Sequence, residues 1–339
     1  MIIVTGGSGF IGSNFIKGWL SENDESVLNI DKLSYAASRN NLKDLVSDPR
    51  YLFSKGDICN KDFLKQQIKK YNPRAIIHFA AESHVDRSIS SPKIFLDTNI
   101  IGTFNLLEVS KDYIESIDAK RKKDFRFIHI STDEVYGSLN KNEKPFTENN
   151  QFKPNSPYAA AKASSDHLVR AYFKTYSLPC IITNCSNNYG PYQFPEKLIP
   201  LVINNCLNLK PIPVYGNGLQ IRDWLHVEDH CKAIKLVLKK GKIGQTYNIG
   251  GKNEKLNIDL INTICEILDK IRPNKSVGSY KSLISHVEDR PGHDIRYAIN
   301  SSKISNDLEW NPRYDFDAGI FSTIEWYLNN KDWLNGKID

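Results

Sequence analysis

The sequence predicts an α/β fold: a doubly wound parallel sheet with a smaller, interleaved C-terminal substrate unit. Three observations point there. Short apolar runs alternate with helical patterns through the first half, a glycine-rich turn follows the first of those runs, and the alternation stops near Asn187, where Pro, Gly, Asn and aromatic residues take over. Steady alternation of strand and helix means βαβ units, and right-handed crossovers wind these into a parallel sheet covered on both faces.

In order, Met1–Thr5 reads as a strand and Ile11–Leu20 as a helix. Ser26–Asp31 is a strand, a third strand precedes Asp57, and Asp62–Tyr71 is a helix. Ala75–Ala80 (AIIHFA) is a strand buried on both faces. A long helical stretch runs from about Pro92 to Ile117. Phe125–Ser131 is a strand, Tyr158–Tyr176 a helix and Cys180–Asn184 a strand. The segments NNYGPYQFPEKLIP and PIPVYGNGLQIRDW read as loops around a site and not as sheet layers. Val227–Lys240 is again helical and Gln245–Ile249 a strand; Ile258–Ile271 and Ala318–Leu328 are amphipathic helices. Residues 1–188 with about 222–249 are expected to form one unit, and about 189–221 with 250–339 the other.

The 339 residues suffice for about two such units at ~150 residues each. With 40% hydrophobic and 25% charged residues the chain is an ordinary globular one, which excludes long disorder and low-complexity architecture. A net charge of +6 suits an anionic ligand without requiring one. The densest basic run, Lys120–Lys123, is expected to be a solvated loop, and no basic, aromatic-interleaved stripe points to nucleic acid. The six cysteines contain no CxxC pair and several lie in apolar runs, so free buried thiols are expected. No run approaches ~20 apolar residues, so no membrane span is expected. MIIVTGGSGFIGS reads as strand and turn, not as a leader, which makes a reducing cytoplasm the expected location. His84 and His293 lack partners for a metal site, and no metal is expected.

Gly6, Gly9 and Gly12 form G-x-x-G-x-x-G between the first strand and first helix. Glycines there permit a tight turn and close approach of a pyrophosphate to the helix N-terminus, the Rossmann arrangement; a plain βα turn is the alternative. Asp31 ends the second strand, where a carboxylate bonds a ribose 2′-hydroxyl and repels a 2′-phosphate, favouring NAD over NADP. A capping Asp is the alternative there, and Lys32 beside it complicates the preference. Tyr158 and Lys162 stand i, i+4 on one helix face. A nearby ammonium and the positive nicotinamide both lower a phenol from its ordinary pKa of about 10, making it a base for an alcohol proton while hydride leaves to NAD. Asp133 and Glu134 follow Ser131-Thr132 at the end of a parallel strand, facing the ligand crevice. Their side chains diverge, so they can act on different atoms as acid and base; a solvated or capping acidic pair is the alternative.

Taken together these features resemble the extended short-chain dehydrogenase/reductase superfamily, and within it the dTDP-glucose 4,6-dehydratases. The resemblance rests on Ser131-Thr132-Asp133-Glu134-Val135-Tyr136-Gly137, Ala80-Ala81-Glu82-Ser83-His84-Val85-Asp86-Arg87-Ser88, Asn187-Asn188-Tyr189-Gly190-Pro191-Tyr192, Lys197-Leu198-Ile199-Pro200, Arg222-Asp223-Trp224 and Asp289-Arg290-Pro291-Gly292-His293-Asp294, and spans Gly6 to about Tyr297. It implies an NAD-dependent lyase that oxidises C4 of a nucleotide sugar, eliminates water across C5 and C6, and returns hydride to C6, with NAD held tightly. Tyr158, Lys162 and Thr132 would serve O4, Glu134 would be the C5 base and Asp133 the C6 acid. Beside the three glycines, the cofactor set it implies is Phe10, Ile11, Asp31, Lys32, Leu33, Ser34, Asp57, Ile58, Ala80, Ala81, Thr98, Tyr158, Lys162 and Asn188. The substrate set is Ser83, Thr132, Asn187, Lys197, Leu198, Pro213, Val214, Tyr215, Arg222, Asn257, Arg290 and His293. Arg222 and Arg290 suit a diphosphate, which guanidinium pairs bidentately. A homodimer joined through Pro92–Ile117 and Tyr158–Tyr176 is implied as well.

The sequence departs from the family pattern at Ala37-Ser38, where Gly-Asn is usual, at the Ala residues inside the Tyr158 motif, and at His226, where Tyr is common. Two rival readings remain at this stage. One is a UDP- or CDP-sugar dehydratase or 4-epimerase of the same superfamily; Asp133-Glu134 argues against a simple epimerase. The other is a non-catalytic NAD-binding protein, against which Tyr158 and Lys162 argue.

Overall fold

The computed structural model describes residues 1–335. The strands are β1 (Ile2–Thr5), β2 (Val27–Asp31), β3 (Tyr51–Lys55), β4 (Ala75–His78), β5 (Arg126–Thr132), β6 (Cys180–Cys185), β7 (Asn187–Tyr189), β8 (Ile212–Tyr215), β9 (Ile221–His226), β10 (Thr246–Ile249), β11 (Glu254–Leu256) and β12 (Ile284–Val287). Seven of them form one parallel sheet in the order β3-β2-β1-β4-β5-β6-β10. The winding reverses between β1 and β4, which opens a crevice beyond their carboxyl ends.

Both faces of this sheet are buried, so its strands are apolar throughout. One face packs on Phe15, Ile16 and Trp19 of the helix Phe10–Glu22 and on Ile234 and Val237 of the helix Val227–Lys240. Trp310 joins that same core. The other face packs on Leu64, Ile68, Leu106, Leu107 and Val169. A separate core gathers Val202, Ile203, Ile261, Ile264, Ile320 and Ile324 from the helices Leu198–Leu207, Asn257–Ile271 and Phe316–Asn329.

Several segments differ from the sequence expectation. AIIHFA is a strand only to His78, and Phe79–Ala81 leave the sheet toward the crevice. The long helical stretch is broken into Pro92–Phe95, a π-helical turn over Leu96–Gly102, and Thr103–Ser116, and a separate helix, Val85–Ser90, precedes it. At that turn Asn99 accepts from the Glu82 amide (2.8 Å) and donates to the Glu82 carbonyl (3.0 Å), a tertiary tie that periodicity does not register. Lys120–Lys123 lie on a short exposed helix, Ala119–Asp124, capped by Asp118, not in a loop.

The region after Asn187 also holds more regular structure than expected. β11, β9 and β7 form a three-stranded sheet, and β12 pairs with β8. The helix Leu198–Leu207 carries Pro200 in its first turn, where the missing amide costs no helical bond.

Candidate active site

The loop from Gly6 to Gly12 joins β1 to the helix Phe10–Glu22. Gly6 has φ +72°, and a Cβ there would lie 2.6 Å from the Ala80 nitrogen; at Gly12 it would lie 2.4 Å from the Gly6 carbonyl oxygen. The chain is thus closed as tightly as glycine allows. Gly9 caps the helix without a side-chain bond, and Phe10, Ile11 and Gly12 line the cavity above it. First-turn amides have no partner within their helix, so this end offers donors and a partial positive charge.

The end of β2 forms the next wall. The Asp31 carboxylate accepts from the Ser8 amide (2.9 Å) and the Leu33 amide (2.8 Å), fastening the strand to the glycine loop. Ser34, Asp57, Ile58, Ala80, Ala81 and Thr98 line the cavity with Asp31 and Lys32. Leu33 is not part of that wall; its role is in the backbone, at φ 58°. Lys32 turns inward, its Nζ 3.1 Å from both Glu82 Oε1 and the Thr98 hydroxyl.

Deeper in, Thr132, Glu134, Tyr158, Lys162, Asn187 and Asn188 complete the cavity together with Ser83 and Lys197. Thr132 ends β5 and caps the 3₁₀ turn Asp133–Tyr136 through the Glu134 amide (3.3 Å). Its hydroxyl also donates to Asp133 Oδ1 at 3.3 Å. Tyr158 and Lys162 come from the helix Pro157–Tyr176, capped by Ser156, and the Lys162 ammonium donates to the Ile130 carbonyl at 2.7 Å.

The two carboxyls are held differently. Asp133 is buried outside the cavity wall, and burial followed by the Glu134 charge raises it well above the ordinary carboxylate range. Glu134 reaches the wall. Burial raises it too, but Arg290, Lys197 and Arg222 all pull it down. One oxygen of each, Asp133 Oδ2 and Glu134 Oε2, is buried without a hydrogen-bond partner among the described residues. The environments separate a proton holder from a proton acceptor, as acid–base division requires.

One expectation is reversed. In the chain alone Tyr158 is not lowered: burial, then the Glu134 charge, holds the phenol well above its usual range, and only the Thr132 hydroxyl opposes this. Lys162 is itself lowered by burial to about 8.

The remaining predicted ligands are divided. Arg290 meets Asp86 at 3.3 Å and the Tyr215 hydroxyl meets Asp86 at 3.1 Å, while His293 bonds Asp289 at 2.6 Å. Arg222 is buried, donating to the Asp294 carbonyl at 3.0 Å with its guanidinium 4.3 Å from the Tyr297 ring centre. Asn257 opens the helix Asn257–Ile271 with Oδ1 buried and unpartnered among the described residues. Val214 points into the second core and Leu198 packs against it; with Pro213, neither is in the cavity wall. Residues not anticipated from the sequence include Phe79, Ser131, Cys185, Gln193, Phe194 and Glu196. Glu196 accepts from the Tyr35 hydroxyl (2.8 Å) and meets Arg87 (3.4 Å), whose guanidinium lies 3.7 Å from the Tyr35 ring centre. No spacing rule joins residues so distant in sequence.

Residues 3–323 match the family model described as GDP-mannose 4,6 dehydratase. The dTDP-glucose 4,6-dehydratase of Neisseria meningitidis is 53% identical over 99% of this chain and 96% of its own length. The chain belongs to the dTDP-glucose 4,6-dehydratase family. Family structures agree in shape. The Bacillus anthracis dTDP-glucose 4,6-dehydratase in complex with NAD has a TM-score of 0.87 at 46% identity, covering 99% of both chains. The Streptomyces venezuelae family member with NAD and TYD bound has a TM-score of 0.90 at 42% identity, again over 99% of both.

Proposed function

We propose that this chain is a dTDP-glucose 4,6-dehydratase, converting dTDP-glucose to dTDP-4-dehydro-6-deoxy-glucose and water. The observation that carries this reading is the placement of Glu134 and Asp133 in contrasting environments beside Tyr158 and Thr132, at the end of a glycine-built dinucleotide cradle. The cradle fits NAD, because any Cβ at Gly6 or Gly12 would collide with backbone and Asp31 disfavours a 2′-phosphate. Gly6–Gly12, Asp31, Lys32, Ser34, Asp57, Ile58, Ala80, Ala81, Thr98 and Asn188 would hold it. When bound, NAD supplies the hydride acceptor for C4 and the hydride donor for C6.

The chain's own residues then move protons. Thr132 positions O4, and Tyr158 Oη takes the O4 proton as a phenolate that Lys162 and the positive charge of bound NAD would together favour against burial. A C4 ketone acidifies the C5 proton, which Glu134 removes. Asp133, protonated by virtue of its burial, gives its proton to the departing C6 hydroxyl. Glu134 finally returns its proton to C5, and the proton left on Tyr158 passes to solvent while Asp133 regains one, so the cycle closes with one water lost. Arg222, Arg290 and Lys197 suit the diphosphate, Ser83, Asn187 and His293 the sugar end, and Pro213, Val214, Tyr215, Leu198 and Asn257 the base side.

The sugar unit is drawn from about 189–221 and 250–339 and the dinucleotide unit from 1–188 with about 222–249. The nucleotide sugar is the small-molecule partner, and a second copy of the chain is the protein partner. Ile89, Ile94, Leu96, Ile101 and Phe104 stand exposed along Val85–Ser116, as does Tyr176 at the end of the helix Pro157–Tyr176. We place the chain in the cytoplasm, since all six cysteines are free thiols and no described helix is long and apolar enough to cross a membrane. The test is incubation with dTDP-, UDP- and CDP-glucose carrying deuterium at C4. The reading expects dTDP-glucose to react fastest, to lose one water, and to show the label in the new methyl group. An isomer of unchanged mass, or deuterium lost to solvent, would sink it.

A further inference from the structure

Lys162 is buried, and its ammonium has one hydrogen bond to a neutral carbonyl, that of Ile130. A buried ammonium without a counter-charge neutralises. One helical turn further on, at i+4 on the same face, stands Asp166, its side chain 1% exposed. The mechanism above makes no use of it. Asp166 Oδ2 accepts from the Ser131 hydroxyl (2.9 Å) on β5 and from the Asn184 amide (3.1 Å) on β6. Two donors converging on one carboxylate oxygen stabilise its ionised form.

We propose that Asp166 is a positioning residue for the oxidation step: the buried counter-charge that keeps Lys162 an ammonium beneath Tyr158. This rests on the reading of Tyr158 and Lys162 as the redox pair. The groups facing the pair leave that task to Asp166. His129, on β5, has Nε2 3.1 Å from Asp166 Oδ1, but burial and Lys162 keep the ring neutral. His78, on β4, is likewise neutral, occupied by the Thr5 hydroxyl (2.8 Å) and the Thr103 hydroxyl (2.9 Å). Cys185, on β6, is a thiol pushed up by burial. Asp133, at the end of β5, is the proton holder described above. His167 stands beside Asp166 and favours its charged form. Burial raises Asp166 to about 6, with Lys162, Ser131 and Asn184 opposing, so it is ionised at neutral pH; Lys162, at about 8, is lifted by Asp166 more than by any other group.

Asp166→Asn keeps the shape and the bonds from Ser131 and Asn184 while removing the charge. Lys162 then loses its proton at lower pH, and the alkaline limb of the kcat profile moves toward acid. For a displacement of about one pH unit the expected result is about a fivefold loss of kcat at about pH 8, approaching tenfold at higher pH and shrinking toward about pH 6.5. KM for dTDP-glucose is unchanged, because Asp166 does not reach the cavity. A profile superimposable on the parent's, or a loss independent of pH, overturns the proposal and leaves Asp166 a packing residue. Should Asp166→Asn fail to accumulate as folded holoenzyme, Asp166→Ser, which also removes the charge, decides the matter by the same acid displacement of the alkaline limb. Tyr158→Phe separates the two readings. If that variant turns over normally, the redox-pair reading itself falls; if it is inert while the Asp166→Asn profile stays put, only the role given to Asp166 falls.

Discussion

Lys32 Nζ lies 3.1 Å from Glu82 Oε1, and Glu82 is buried, so the one basic side chain next to Asp31 is already neutralised within the wall. The sequence left Lys32 as a complication for the choice between NAD and NADP, and this pair removes it. On the proposed reading Asp31 meets the adenosine ribose. Asp31→Asn should weaken NAD binding about 10–100-fold, the cost of losing a charged hydrogen-bond acceptor. It should not gain NADP binding, because Lys32 stays tied to Glu82. Adding Glu82→Gln removes the nearer of the two carboxylates at that ammonium, the other being Asp57 at 4.0 Å, and should give measurable NADP affinity. Calorimetric titration of the single and double variants checks this, and NADP binding by the single variant would contradict it.

Gly12 leaves no room for a side chain. A Cβ there meets the Gly6 carbonyl oxygen at 2.4 Å and Gly7 Cα at 2.8 Å, both backbone atoms that cannot yield without opening the turn. Gly12→Ala should therefore purify with its dinucleotide content at least tenfold reduced, and its activity should fall with it. The absorbance ratio at the nucleotide and protein maxima reads the content directly. Gly9→Ala, with its nearest contact at 3.3 Å, should be far milder.

The seven-stranded sheet was legible because each strand is a short apolar run set between helices, and burial on both faces writes that pattern into the sequence. The glycine loop, Asp31 and the Tyr158–Lys162 pair were legible because local spacing decides their geometry. What escaped the sequence is tertiary. The π turn at Leu96–Gly102 depends on Asn99 bonding Glu82. The strands β7, β8, β9, β11 and β12 run three to six residues among Pro, Gly and charged residues, without the continuous apolar run that marks the strands of the large sheet. The Tyr158 phenol was only partly legible: the ammonium four residues on is local, whereas burial and Glu134, which raise the phenol in the chain alone, are tertiary.

Along the surface, Ile94 is 47% exposed, Leu96 44% and Ile101 49%. Apolar side chains clustered on neighbouring turns mark an interaction face. Ile101→Glu with Ile94→Lys should leave the chain folded and turn a dimer into a monomer, read by sedimentation velocity. A parent protein already monomeric at micromolar concentration would remove the case for a second copy as partner.

Asp133 carries a stability cost that its chemistry explains. Burial and the Glu134 charge raise its pKa, so the folded chain holds a proton that the unfolded chain has released by neutral pH. The folded state binds more protons there, and stability falls as pH rises from the unfolded value near 4 toward the raised folded one. Asp133→Asn removes the titration. At neutral pH it should be more stable than the parent, read as a higher Tm. Below about pH 4, where both states of the parent are protonated, the gain should vanish. The same variant should still oxidise C4, seen as transient absorbance at about 340 nm, yet turn over slowly, since the C6 hydroxyl has lost its acid. Calorimetry across pH joined to stopped-flow absorbance tests both halves. A variant no more stable at neutral pH than at acid pH would mean that Asp133 is ionised in the fold, and the acid role would pass to another group.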